Sequence, residues 1–245
     1  MPQFFIQQPL ILNETVEIKG PEAHHIADVL RLKKGDWLIL ADGQGRSYKS
    51  EITEIKGRQV KLKILAEISY KFNNPCPALA FAIIKHDRTE YIIQKAVELG
   101  CHHLYPFFSE RTIPKFTTSL GPKKLERWQK IAVEAAKQSG LPFIPKVNAS
   151  LNFEKLCASF SKYEKTLLFW EGETKNSLES QLSGLKSQVL LIIGPEGGFT
   201  KSEVELARKN GASSVSLGSQ ILRVETAAIA SLAIVQYELG NFDRS

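Results

Sequence analysis

Val189-Leu190-Leu191-Ile192-Ile193-Gly194-Pro195-Glu196-Gly197-Gly198-Phe199-Thr200-Lys201-Ser202-Glu203 is the stretch on which the fold of this chain turns. Its first five residues are apolar without interruption, the pattern of a strand buried on both faces in a parallel sheet. The strand runs directly into three glycines and a proline within five residues, a composition that lets backbone groups approach a ligand closely. Thr200 followed by Glu203 has the spacing of a capping box opening a helix. An ordinary strand-to-helix turn explains one glycine comfortably and three less well. In an open α/β sheet, ligands sit beyond the carboxyl ends of strands, so this turn is a candidate binding loop.

Outward from it, short apolar runs alternate with helical ones: 79–84, 88–99, 103–107, 123–138, 166–170, 203–209 and 215–217. Such alternation predicts a mainly parallel sheet with helices on both faces. In the helix over 88–99, Ile92, Ala96 and Leu99 share a face that Ile93 and Val97 widen into a core-facing stripe. A second strand end, Leu217-Gly218-Ser219-Gln220-Ile221-Leu222-Arg223-Val224-Glu225-Thr226, places Arg223 and Glu225 beside a helix start. A surface ion pair is the other reading of those two charges. The helix that follows, through Val235, is apolar around most of its circumference, which suits a core helix or a subunit interface.

Upstream the pattern changes. Residues 37–65 read as strands, with Val60, Leu62 and Ile64 alternating with polar neighbours and turns at Asp42-Gly43 and Lys56-Gly57. His24–Leu32 reads as a short helix. The prolines and asparagines of 71–77 discourage regular structure, so the predicted organisation is a small β-rich domain over 1–70 and an α/β domain over 76–245.

Composition narrows the function classes. The 245 residues are 43% hydrophobic, enough for a sizeable core. No run approaches the roughly 18 apolar residues of a membrane span, and the N-terminus lacks a leader pattern, so a cytoplasmic protein is expected. Cys76, Cys101 and Cys157 are far apart and read as reduced thiols. Neither His24-His25 nor Cys101-His102-His103 has the partners a metal needs, so no metal is expected. The formal charge of +6 favours polyanionic partners. It is concentrated in 111–137, where Arg111, Lys115, Lys123, Lys124, Arg127, Lys130 and Lys137 face only Glu126 and Glu134; a solvated helix face is the alternative. The glycine loops match neither the dinucleotide fingerprint nor the phosphate loop.

Several words, taken in order, carry a resemblance across nearly the whole chain. They are His24-His25 with Val29-Leu30-Arg31-Leu32-Lys33 and Gly35-Asp36; Lys85, Asp87-Arg88 and Glu90; and Gln94-Lys95-Ala96 with Glu98-Leu99-Gly100. Ser109-Glu110-Arg111, Arg127-Trp128, Glu134-Ala135-Ala136, Gln138-Ser139 and the two strand-end segments complete them. The chain resembles the RsmE family, ribosomal RNA methyltransferases of the SPOUT superfamily that make 3-methyluridine in the decoding region of 16S rRNA. The resemblance implies a PUA-like first domain and a SPOUT domain closed by a C-terminal trefoil knot. It also implies a homodimer acting on the 30S subunit with S-adenosyl-L-methionine. Two places depart from the family pattern: Gln220 stands where an arginine is expected, and Gly140-Leu141-Pro142 follows Gln138-Ser139 without one. Other expectations are a knotted methyltransferase with a ribose or tRNA target, and a non-catalytic RNA-binding or assembly factor.

On this resemblance the cofactor is expected against Gly194, Glu196, Gly197, Leu217, Gly218, Ile221 and Leu222. Arg223 is the expected stabiliser of charge on the uracil carbonyl oxygens. Glu225 is expected to accept the N3 proton or to orient the arginine. His24, His25, Arg31 and Lys33 of the first domain and Arg88, Arg111, Lys123, Lys124 and Arg127 of the second are the expected RNA contacts. For Arg88, a plain ion pair with Asp87 or Glu90 is the alternative.

Overall fold

A computed structural model of the protein describes residues 1–69, 76–112, 121–182, 184–185 and 188–242, the side chain of His86 aside. They form two compact units, one of residues 1–69 with Ala136–Ile144, the other of the remainder. The expected boundary segment, 71–77, lies largely outside the described residues.

The first unit holds β1 (Gln3–Phe5), β2 (Thr15–Lys19), α1 (Pro21–His24), β3 (Trp37–Ala41), β4 (Ser47–Lys56) and β5 (Gln59–Ile68). They build one sheet in the order β1-β3-β4-β5-β2. Only β1 runs parallel to its neighbour. Val60, Leu62 and Ile64, alternate residues of β5, point inward onto Phe4, Ile26 and Leu38, as period-two patterning requires. The ladder between β4 and β5 shifts register at Lys49/Ser50 and Ile52/Glu54; such bulges bend a strand. The helix expected over His24–Leu32 is instead the one-turn α1 followed by a π-helical turn over His25–Val29, with Arg31 left-handed at φ 54.

The second unit contains β6 (Ala78–Ala82), α2 (His86–Glu98), β7 (His103–Phe108), α3 (Pro122–Ser139), whose residues from Ala136 on belong to the first unit, β8 (Lys146–Val147), β9 (Leu151–Asn152) and α4 (Phe153–Cys157). It continues with β10 (Lys165–Phe169), α5 (Leu178–Leu182), β11 (Val189–Ile193), α6 (Lys201–Lys209), β12 (Ser213–Val215) and α7 (Val224–Glu238). The sheet order is β12-β10-β11-β6-β7-β8, with β9 also beside β7, and every pairing is parallel. Every residue of β6 and β11 is buried, the mark of central parallel strands covered on both faces.

Two features position the site. Register pairs Phe169, the last residue of β10, with both Ile193 and Val215, so three neighbouring strands end level and their following loops emerge side by side. Against this sheet, α7 buries Ala228, Leu232 and Val235 and leaves Ile234 and Tyr237 exposed.

The segment after α3 explains one departure from the family pattern. Gly140 takes a left-handed φ of 73, and the Leu141 N–H donates to the Ala136 carbonyl at 3.0 Å, the six-to-one bond of a Schellman close. Leu141 and Phe143 are then buried in the first unit. The Leu141 carbonyl accepts from Gln3 at 2.6 Å, and Lys137 meets Glu22 at 2.8 Å. Gly140-Leu141-Pro142 thus serves chain reversal and packing.

Candidate active site

The three level strand ends enclose a cavity of about 240 Å³. One wall is Gly194–Phe199 after β11, a second is Ser216–Leu222 after β12, and the third is Phe169-Trp170-Glu171 at the end of β10. Gly194, Glu196, Gly197, Leu217, Gly218, Ile221 and Leu222, the residues expected to hold a cofactor, all line it. The β10 wall was not anticipated, since Phe169-Trp170 reads in the sequence as the end of an apolar run. Val224 and Ala227, in the first turn of α7, close the floor.

The glycine loop is held from several directions. At its end, Phe199 is 3% exposed, stacked on Phe107 with ring centres 6.3 Å apart and planes 4° from parallel, and Phe153 lies 5.4 Å away. Arg111, after β7, donates from Nη1 to the Gly197 carbonyl at 2.8 Å. The capping box is present: the Glu203 N–H donates to Thr200 Oγ1 at 3.2 Å, and Glu203 Oε2 accepts from the Thr200 N–H at 2.9 Å. The other Glu203 oxygen accepts from Ser109 Oγ at 2.8 Å and the Glu110 N–H at 3.0 Å. One buried carboxylate therefore starts α6 and ties it to the end of β7.

The β10 loop has its own anchor. Glu173 is buried; one carboxylate oxygen accepts from Ser214 Oγ and, at 2.8 Å, from Arg208. The other accepts from the backbone N–H groups of Thr174 and Lys175 at 3.0 and 2.9 Å. The Ser214 hydroxyl first, then the backbone N–H groups of Lys175 and Asn176 and the Arg208 guanidinium, hold the Glu173 carboxyl down at about 2. Such a carboxylate is locked in its charged form as a structural clamp.

Arg223 and Glu225 are not among the residues that line the cavity: Arg223 is the exposed N-cap residue of α7, between the lining residues Leu222 and Val224, and Glu225 lies half-buried in the first turn. Arg88, from the first turn of α2, pairs with neither Asp87 nor Glu90. Its guanidinium lies 2.5 Å from Glu196 and 3.8 Å from Glu225, bringing a glycine-loop carboxylate and an α7 carboxylate onto one cation. Ile221 is 90% exposed.

The remaining residues expected at RNA divide between the two units. His25 is exposed with its ring edge-on to Phe4, and Arg31 and Lys33 are exposed beyond the π-helical turn. On α3, Lys123 is exposed, Arg127 pairs with Glu90 at 2.8 Å, and Lys124 sits 5.3 Å over the Trp128 ring, where burial lowers its pKa. Lys115 lies outside the described residues. Among the described residues no three His, Cys, Asp or Glu side chains gather as a metal would need, all three cysteines are buried thiols, and no helix is long and apolar enough to cross a membrane.

Comparison with known proteins agrees with this geometry. Residues 73–236 match a family model described as an RNA methyltransferase domain, and residues 18–65 one described as an RNA methyltransferase PUA domain. The chain is 32% identical over 248 residues to ribosomal RNA small subunit methyltransferase E of Bacillus subtilis, covering 97% of each chain. It is 34% identical to the protein of the same name from Synechocystis, over 91% of this chain and 73% of that one. Among solved structures, the ribosomal RNA small subunit methyltransferase E of Neisseria gonorrhoeae bound to S-adenosyl methionine superposes with a TM-score of 0.87 at 30% identity, covering 97% of both chains.

Proposed function

The chain belongs to the ribosomal RNA small subunit methyltransferase E family, and from that premise we propose that it methylates N3 of a uridine in the decoding region of 16S rRNA, using S-adenosylmethionine and acting on the small ribosomal subunit. The observation that carries this reading is the meeting of three strand-end loops around one cavity, lined by Leu222 and Val224, with Arg223 and Glu225 next to them in the chain at the start of α7.

The residues present suit the cofactor. Phe169, Ile193, Leu217, Leu222 and Val224 offer an apolar slot for a purine, the glycine backbones permit close approach, and Glu171 supplies negative charge for a cationic molecule. When bound, it supplies a methyl group on a sulfonium for in-line transfer. The protein then has to hold the uracil imide in line and manage the proton that N3 loses as the N–CH₃ bond forms. Arg223, exposed at the start of α7, stabilises the negative charge that spreads onto the uracil carbonyl oxygens. Glu225 accepts the N3 proton. The target base is flipped from its stack to reach this depth.

RNA is gripped by His25, Arg31 and Lys33 of the first unit and by Lys123, Lys124 and Arg127 on α3. Arg88 and Arg111 are left out of that surface because the glycine loop engages their guanidinium groups. The working form is a cytoplasmic homodimer, and the exposed Ile234 and Tyr237 of α7 together with Tyr91 of α2 support it. The knot implied by the resemblance is in keeping with β12 lying outside β10 in the sheet.

Incubating the protein with small ribosomal subunits and methyl-labelled cofactor, followed by nucleoside mass spectrometry, tests the reading. The expected product is 3-methyluridine; a 2′-O-methyl product, or neither transfer nor cofactor binding by calorimetry, overturns it. Arg223→Ala is expected to lower turnover far more than cofactor affinity.

A further inference from the structure

Arg88 stands between Glu196 on the glycine loop and Glu225 at the start of α7, two carboxylates around a single cation. We propose that Arg88 is a positioning residue for methyl transfer, holding the glycine loop and the Glu225 carboxylate in one fixed relation. This rests on the reading above and assigns Arg88 a task inside the site, distinct from phosphate binding.

Three observations carry it. First, the arginine is rigidly mounted: at the start of α2 the buried Thr89 hydroxyl donates to the Ile84 carbonyl at 2.9 Å and accepts from the Ile84 N–H at 3.2 Å. That closed pair fixes where the helix leaves β6. Second, Glu225 Oε2 is buried and lacks a hydrogen bond, with Arg88 at 3.8 Å as its electrostatic partner. An uncompensated carboxylate oxygen in such a place is costly, and the arginine offsets that cost. Third, Arg88 and Arg111 grip the glycine loop at adjacent residues, Arg88 through the Glu196 side chain and Arg111 through the Gly197 carbonyl. Without Arg88, two like charges face each other across the gap it leaves, and their repulsion opens the loop that lines the cofactor cavity.

The test is a double-mutant cycle in cofactor binding, read by calorimetry on the full chain, with folding checked by thermal melts. Arg88→Met is expected to weaken S-adenosylmethionine binding about tenfold, a cost of about 1.4 kcal/mol. Adding Glu225→Gln, which removes one of the two opposed charges, is expected to restore most of that loss, whereas Glu225→Gln alone changes cofactor affinity by less than about threefold. Arg88→Lys, which keeps the cation, is expected to stay within about threefold of wild type and covers the case in which Arg88→Met does not fold. In turnover, Arg88→Met is expected to lower kcat while the KM for small subunits stays within about threefold. The proposal is overturned if the two substitutions are additive, or if Arg88→Lys is as damaged as Arg88→Met. It is likewise overturned if the loss falls on RNA alone with a salt slope reduced by about 0.7, the signature of a lost phosphate contact. A wild-type protein that binds no cofactor sinks the functional reading instead, so the two failures are distinguishable.

Discussion

Gly194→Ala tests the claim that the glycine loop is shaped by packing as well as by backbone freedom. Gly194 is absent from the left-handed residues, so alanine meets no backbone penalty there and any effect is steric. A Cβ built at this position lies 2.8, 3.0 and 3.2 Å from three atoms of the Phe199 ring. That ring cannot withdraw, because it is 3% exposed and packed against both Phe107 and Phe153. Overpacking of a rigid core costs about 1–3 kcal/mol. In a chain of this size each kcal/mol lowers Tm by about 2–4 °C, so the expected loss is about 2–12 °C. The loop yields more easily than the aromatic stack, so cofactor affinity falls as well, about tenfold for each 1.4 kcal/mol of displacement. Melts followed by circular dichroism and calorimetric titration measure both. Phe199→Leu removes the colliding edge, and the double variant is expected to be more stable than the sum of the single losses predicts, by about 1 kcal/mol. A melt for Gly194→Ala within about 1 °C of wild type, or strict additivity with Phe199→Leu, refutes the reasoning.

Arg111→Met removes a charged donor from the Gly197 carbonyl; at about 1.5 kcal/mol for such a bond, cofactor binding weakens roughly tenfold while the salt slope of RNA binding stays put. Unchanged cofactor affinity with a slope lower by about 0.7 would return Arg111 to the RNA surface. Glu173→Gln breaks the clamp on the β10 loop and is expected to lose about 2–3 kcal/mol in urea unfolding. Because the folded Glu173 carboxyl sits at about 2 against an ordinary 4.5, the wild-type advantage is full above pH 4.5 and lost as pH falls from there toward 2. A difference that persists undiminished to pH 3 argues against it. Burial, with His103 as a lesser cause, lowers the His102 imidazole from 6.5 to about 4. The unfolded chain therefore takes up a proton between those values that the folded one refuses, and stability declines from pH 6.5 to 4. His102→Gln should flatten that decline in urea midpoints, and an identical pH dependence would dismiss the assignment.

What could be read from the sequence follows from the range of the interactions concerned. The β11 strand, its glycine turn and the Thr200–Glu203 box are local, each fixed by residues within a few positions, and the residues expected at the cofactor line the cavity together. The β10 wall is not local. Phe169-Trp170-Glu171 reaches the site because β10 is paired between β11 and β12 in level register, and a single sequence carries no sign of that register. Gln3, Gly43 and Glu22 likewise give no hint that Ala136–Ile144 would join them. The arginines show the same division more sharply. Read as charge alone, Arg88 and Arg111 belong with the RNA contacts; their partners, Glu196 and the Gly197 carbonyl, lie on the far side of the sequence. Glycine gives that loop its close approach but no stiffness, since it loses more conformational freedom on folding than any other residue. A loop so composed has to be held from outside, and here it is held from the ends of β6 and β7 by Arg88 and Arg111 and from its own end by Phe199. The permissive residues are therefore legible, whereas the restraining ones become visible only when the sheet brings them together, so substitutions at the restraints should reveal how the site is held in shape.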